Sequence, residues 1–303
     1  MSQRVFLTGA TGYLGSAIGA RLARAGREVI GLTRNEDRVR WLESLGMEAV
    51  VGALDQPDAW IGRLKNADAV VHAAADAQDT AAEDQRLLEA VRAAMIDGRV
   101  KRLLYTSGIW VHGASGDRVI DESTPLAPLA LVKWRAAHEE VALDYIENGL
   151  ETVILRPGIV YGESRGILGD WWRAARDRHR VTYPGDGSQR WPLVHRDDVA
   201  EAYLLALEHA RPGSRFLLAD ESRHTAREIA EAIARVTGAT AQPAPRDEVL
   251  EQMGGLGEAL LTSQQVTSAA ARRELGWVPL HTSFVKEAEK LYGEWQAGQK
   301  TTV

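Results

Sequence analysis

Near the start of the chain, Thr8-Gly9-Ala10-Thr11-Gly12-Tyr13-Leu14-Gly15 sets three glycines two residues apart, a spacing that can cradle an anion. The first glycine permits a tight turn, the second lets backbone approach a pyrophosphate, and the third lets the next helix lie close to the preceding strand. The free N–H groups and positive end of that helix then face the phosphates, as in a dinucleotide site. At the end of the following apolar run stand Arg34, Asn35 and Arg38. A carboxylate there would hold a ribose 2′-hydroxyl, and an arginine a 2′-phosphate. These residues therefore predict NADP(H), with NAD(H) kept open by Glu36 and Asp37 close by.

The elements that must position this loop can be read from periodicity. Apolar runs of four to six residues at 4–8, 28–33, 47–51, 69–72, 102–106 and 152–156 alternate with amphipathic segments at 14–25, 38–45, 58–64, 83–96 and 133–147. That alternation is the pattern of a parallel sheet covered by helices. Leu14, Ile18, Leu22 and Ala25 share one helical face, and Gly26 stops the helix. The sequence thus predicts an α/β fold, a doubly wound parallel (Rossmann) sheet over residues 1–156. Residues 157–192 and 221–303 are expected to form a smaller C-terminal substrate-binding lobe, with 193–220, holding a helix at 197–208 and a strand at 216–219, returning to the main sheet.

Bulk composition narrows the chemistry. A net charge of −6 and no basic stripe argue against a nucleic-acid partner. The absence of cysteine rules out disulfides, thiolate catalysis and cysteine metal sites. The eight histidines show no metal-binding spacing, so no metal is expected. No apolar run approaches the roughly 20 residues of a membrane span. A cytoplasmic location is the expectation.

Further segments carry a resemblance along most of the chain. Ala53-Leu54-Asp55, Val71-His72-Ala73-Ala74-Ala75, Arg156-Pro157-Gly158-Ile159-Val160-Tyr161-Gly162 and Val194-His195-Arg196-Asp197-Asp198-Val199-Ala200 join the glycine loop. Together the sequence resembles the short-chain dehydrogenase/reductase superfamily, in its extended, epimerase/dehydratase-like branch. The resemblance implies that Leu54 and Asp55 lie at the adenine, Ala73, Ala74 and Ala75 over the ribose, and Pro157, Gly158 and Ile159 at the nicotinamide. It also implies a homodimer through the helices at 83–96 and 133–147.

In the resembled family a tyrosine in Y-x-x-x-K moves the proton, the lysine lowers its pKa, and a Ser or Thr orients the substrate. Here Tyr105-Thr106-Ser107-Gly108-Ile109-Trp110-Val111-His112-Gly113, aligned on Gly113, puts Gly108 at the orienting hydroxyl and Ser107 one place before it. Counting from Pro125-Leu126-Ala127-Pro128 gives Leu129 and Lys133; counting back from Glu139 gives Leu131 and Arg135. Either way leucine replaces the tyrosine and a cation survives. Three explanations follow: another acid, with Tyr161 and His112 as candidates; hydride transfer with only a donor or cation, Lys133 or Arg135, for the developing charge; or cofactor binding without turnover.

Asp186-Gly187-Ser188-Gln189-Arg190-Trp191-Pro192 resembles a diphosphate-holding segment of sugar-nucleotide members, with Arg190 as the cation. Trp110, Trp171, Trp172 and Trp191 fall in segments that border the cleft in the resemblance, which favours an apolar or aromatic small-molecule substrate. The functional expectation is an atypical NADP(H)-dependent oxidoreductase of carbonyl or alcohol compounds. A non-catalytic regulator, and an epimerase or dehydratase using transient oxidation, are the alternatives.

Overall fold

The computed structural model describes residues 2–75 and 80–300. The first half runs β1 (Arg4–Thr8), α1 (Tyr13–Arg24), β2 (Glu28–Thr33), α2 (Val39–Ser44), β3 (Glu48–Val51), α3 (Ile61–Lys65), β4 (Ala69–His72), α4 (Thr80–Asp97), β5 (Arg102–Thr106), β6 (Val119–Ile120), α5 (Lys133–Asp144) and β7 (Glu151–Pro157). The second half follows with β8 (Ile159–Tyr161), α6 (Gly166–Arg178), β9 (Arg180–Pro184), β10 (Leu193–His195), α7 (Arg196–His209), β11 (Arg215–Leu218), α8 (Ala226–Thr237), β12 (Thr240–Ala244), α9 (Arg246–Leu260), β13 (Gln265–Val266), α10 (Ala269–Leu275) and α11 (Phe284–Lys300).

Seven strands form one sheet in the order β11-β7-β5-β4-β1-β2-β3, and every pairing in it is parallel. The doubly wound α/β fold is as the periodicity predicts. Alternate side chains of β1 go to opposite faces, so Val5 and Leu7 pack with Ile18 and Leu22 of α1, while Phe6 packs with Leu87, Leu88 and Val91 of α4. Both faces are therefore buried, which is why the strands read as continuous apolar runs.

Residues 38–45 and 58–64, predicted as single helices, each begin with a 3-10 turn, Glu36–Arg38 and Pro57–Ala59, before the α-helix proper. Asn35 caps the first by accepting a hydrogen bond from the Asp37 N–H, and Pro57 opens the second. Sequence periodicity also left α6, α9 and α11 unassigned.

A third core lies outside the sheet. Trp172, Trp191, Phe284 and Trp295 pack there with Tyr161, Leu168, Ile229 and Ile233. β11 pairs with β7 at the edge of the main sheet, and α7 packs on α1, where Arg21 forms an ion pair with Glu201. Among the described residues no helix is long and apolar enough to cross a membrane.

Candidate active site

The carboxyl ends of the strands open into a cavity of about 590 Å³. Its floor is the glycine loop. Gly9 has φ +70°, and a Cβ there would lie 2.5 Å from the Ala73 carbonyl oxygen; a Cβ on Gly15 would lie 2.1 Å from the Gly9 oxygen. Side chains are thus excluded where a phosphate must approach, and α1 starts at Gly12 with no side-chain cap, which leaves its first N–H groups for a ligand. Gly9, Thr11, Gly12, Tyr13, Leu14, Arg34, Leu54, Ala73, Ala74, Ala75, Pro157, Gly158 and Ile159 all line this cavity. These residues fit a nicotinamide dinucleotide.

Four further candidates do not line it. Gly15 is buried and acts as the close contact between α1 and the loop. Asn35 is spent on its cap, Arg38 lies over the Trp41 ring 5.6 Å from its centroid, and Asp55 is exposed outside the cavity.

At the reacting end the structure separates the two counts. Glu139 is fully buried and ion-paired with Arg156 on β7, so its face of α5 points inward. Arg135, one turn earlier, shares that face; it lines the cavity and donates from Nη1 to the Thr106 carbonyl oxygen at 2.7 Å. Lys133 is two residues further back, on the other side of the helix. It is exposed and outside the cavity, which corrects its assignment as the site cation. The count from the prolines failed because a 3-10 turn, Ala130–Val132, intervenes. Neither Leu129 nor Leu131 lines the cavity, and Leu131 packs beside Gly255 of α9.

Ser107 lines the cavity, and its buried Oγ has no hydrogen-bond partner among the described residues. A Cβ at Gly108 would meet nothing closer than 4.0 Å, so the missing side chain there leaves room. The two alternative acids are placed elsewhere. His112 is buried and accepts from Arg156 Nη1 at 3.1 Å; burial and that cation push it down to about 4. It is therefore a neutral strut at ordinary pH. Tyr161 is 1% exposed, donates weakly to Asp220 Oδ2 at 3.4 Å, and packs edge-on against His195 and Phe284. Burial raises its hydroxyl well above the ordinary phenol range. Tyr13, which does line the cavity, is committed to the Gly162 carbonyl at 2.6 Å, and burial raises its pKa too.

Of the tryptophans only Trp110 lines the cavity. Trp172 and Trp191 are core residues, the latter donating to Leu260 O, and Trp171 packs on Trp191 at 5.2 Å. Large rings at these positions fill the third core rather than a pocket. Arg190 donates to the Arg223 carbonyl and does not line the cavity. Glu83, Thr106, Val132, Val160, Gly166 and Ile167, unassigned from sequence, line it.

A buried polar chain supports the floor. Thr8 Oγ1 meets His72 Nδ1 at 2.7 Å, and His72 Nε2 meets Asp84 Oδ1 at 2.8 Å. Asp84 also accepts from Tyr105 and His138, so that its carboxyl, which burial alone would raise, is held below the usual range. His195, Asp198 and His281 also converge. There Asp198 accepts from the backbone N–H groups of Leu280 and His281, which anchors the segment before α11.

Residues 5–219 match the model of the NAD dependent epimerase/dehydratase family. A 3-diazoavenalumate denitrifying reductase from a Streptomyces species is 29% identical, over 93% of this chain and 97% of that protein. A 4-hydroxy-2-methyl-3-oxo-4-farnesyl-3,4-dihydroquinoline-1-oxide ketoreductase from Stigmatella aurantiaca is also 29% identical, over 72% and 68%. Among solved structures, a dTDP-glucose 4,6-dehydratase from Streptomyces venezuelae with NAD bound superposes with a TM-score of 0.83 at 22% identity, covering 99% of this chain and 98% of the other.

Proposed function

The chain belongs to the NAD dependent epimerase/dehydratase family, and from that premise we propose that it is an NADP(H)-dependent reductase of small apolar or aromatic carbonyl compounds. The observation that carries this reading is Arg135, a permanent cation in the cavity where the resembled enzymes use a tyrosine and lysine. When bound, the cofactor supplies or takes up the hydride.

Arg135 and Ser107 do the rest. As the carbonyl carbon is reduced, negative charge grows on its oxygen, and a guanidinium with donors to spare beyond its bond to Thr106 can meet that charge. The unpartnered Ser107 hydroxyl supplies a second hydrogen bond, and the proton that completes the alcohol comes from solvent entering the open cavity. Ile109, Trp110, Val132, Val160 and Ile167 give the substrate an apolar seat. Two relatives named as reductases support the reaction class.

NADP(H) is preferred on this reading because Arg34 lines the cavity at the end of β2, where a 2′-phosphate would sit. Fluorescence titration with NADPH and NADH, followed by NADPH oxidation over a panel of ketones, quinones, enones and aldehydes, tests both parts. Tighter NADPH binding with turnover of at least one apolar carbonyl is expected. Equal or tighter NADH binding would refute the preference, and tight binding with no turnover would favour the regulator.

A further inference from the structure

The segment linking β8 to α6 crosses back over the glycine loop. Gly162 accepts the Tyr13 hydroxyl, and Gly166, at φ +78°, lies so close to the Tyr13 ring that a Cβ would stand 3.0 Å from it. Tyr13 is flanked by two arginines, Arg165 5.9 Å and Arg196 5.5 Å from its ring centroid. They are not equivalent. Arg196 is buried and fully engaged, donating to the Tyr13 carbonyl at 2.8 Å and to Ser16 Oγ at 3.0 Å and pairing with Glu163.

Arg165 is exposed, and its one hydrogen bond among the described residues is a long one, 3.3 Å from Nη2 to the Thr11 carbonyl. No carboxylate among the described residues forms a salt bridge with it, since Glu163 is held by Arg196. Arg165 does not itself line the cavity, but Thr11, whose carbonyl it meets, and Arg34 do, and Arg38 is near enough to Arg165 for their like charges to interact. An exposed cation with no salt bridge among the described residues thus sits between the glycine loop and the end of β2, brought there by the second half of the chain. Positive charge gathered at such a place favours an anion, and a phosphate can accept charge-assisted hydrogen bonds from a guanidinium.

We propose that Arg165 is a specificity-determining ligand of the cofactor's 2′-phosphate, completing from the second half of the chain a site that Arg34 begins from the first. This rests on the NADP(H) reading above. It adds that the phosphate ties the β8–α6 segment to the glycine loop, so that the same contact which selects the cofactor also fixes Gly166 and Ile167 in the cavity wall.

The test is titration of the full chain and of Arg165→Ala with NADPH and with NADH, by cofactor fluorescence at constant ionic strength, with thermal melts of each apo protein as the folding control. Because a charge-assisted bond is lost, NADPH should bind about ten- to a hundredfold more weakly to Arg165→Ala while NADH affinity and the melt stay unchanged. Arg165→Lys should recover part of the loss. Unchanged NADPH affinity in Arg165→Ala, or equal losses for both cofactors, would overturn the assignment while leaving the cofactor preference of the parent intact. A parent with no preference for NADPH would instead remove the reading on which the assignment rests.

Discussion

The two ends of the cavity are built by different means. At the phosphate end, shape is set by backbone: Gly9, Gly12 and Gly15 leave no space for side chains, and the ligand groups are N–H donors at the start of α1. At the reacting end, shape and charge come from side chains on α5 and on the loop after β5, namely Arg135, Ser107 and Trp110. Backbone geometry tolerates almost no substitution, whereas a side-chain site can change its chemistry one residue at a time. On the proposed reading, that difference lets the same dinucleotide floor serve a reacting end where Arg135 stands in for the tyrosine and lysine.

Substitutions at the two ends should therefore fail in different ways. Gly9→Val should have the largest effect: a positive φ costs a branched residue about 1–2 kcal/mol, and the Cβ collides with the Ala73 carbonyl. Loss of cofactor binding together with a lowered Tm is expected, and a variant that still binds NADPH normally would break the contrast. At the other end, Arg135→Ala should leave binding in place and lower kcat by about 10²–10³-fold, the scale of losing one donor to a developing oxyanion. Ser107→Ala should cost up to about tenfold, since a neutral hydrogen bond is weaker. Tyr161→Phe should change kcat/KM little, because the hydroxyl is buried against Asp220 rather than in the cavity.

A smaller effect concerns stability. Burial pushes the Asp220 carboxyl up to about 7, against hydrogen bonds from Ser222 and Tyr161. Between its ordinary value near 4 and pH 7 the folded state holds a proton that the unfolded state has lost, so stability falls as pH rises through that window. Asp220→Asn should flatten this fall and melt higher than the parent at pH 8, with the gap closing toward pH 4. Parallel melts across that range check it; an Asn variant whose Tm follows the parent's at every pH would exclude the carboxyl as the cause.

The same contrast accounts for what could be read in the sequence. The floor was legible because glycine spacing and apolar runs encode backbone directly, and β1, α1 and β2 lie in one continuous stretch. The reacting end was legible only to two counts. Glu139 was the better anchor because it shares a helical face with Arg135, while the proline turn is offset by a 3-10 turn that spacing alone does not reveal. Trp172 and Trp191 misled because large rings suit a core as well as a pocket, and α8 and α11 pack against them in the third core. Arg165 carried no signal at all, since 154 residues separate it from Thr11 and only the fold brings them together.

The central claim is that a fixed guanidinium on α5, rather than a tyrosine–lysine pair, meets the developing charge. The most direct test is kcat/KM for NADPH-dependent reduction of the best carbonyl substrate, measured side by side for the parent, Arg135→Ala and Lys133→Ala. A fall of about a hundredfold or more in Arg135→Ala, with Lys133→Ala close to the parent, is predicted. A loss confined to Lys133→Ala, or none in Arg135→Ala, would contradict it.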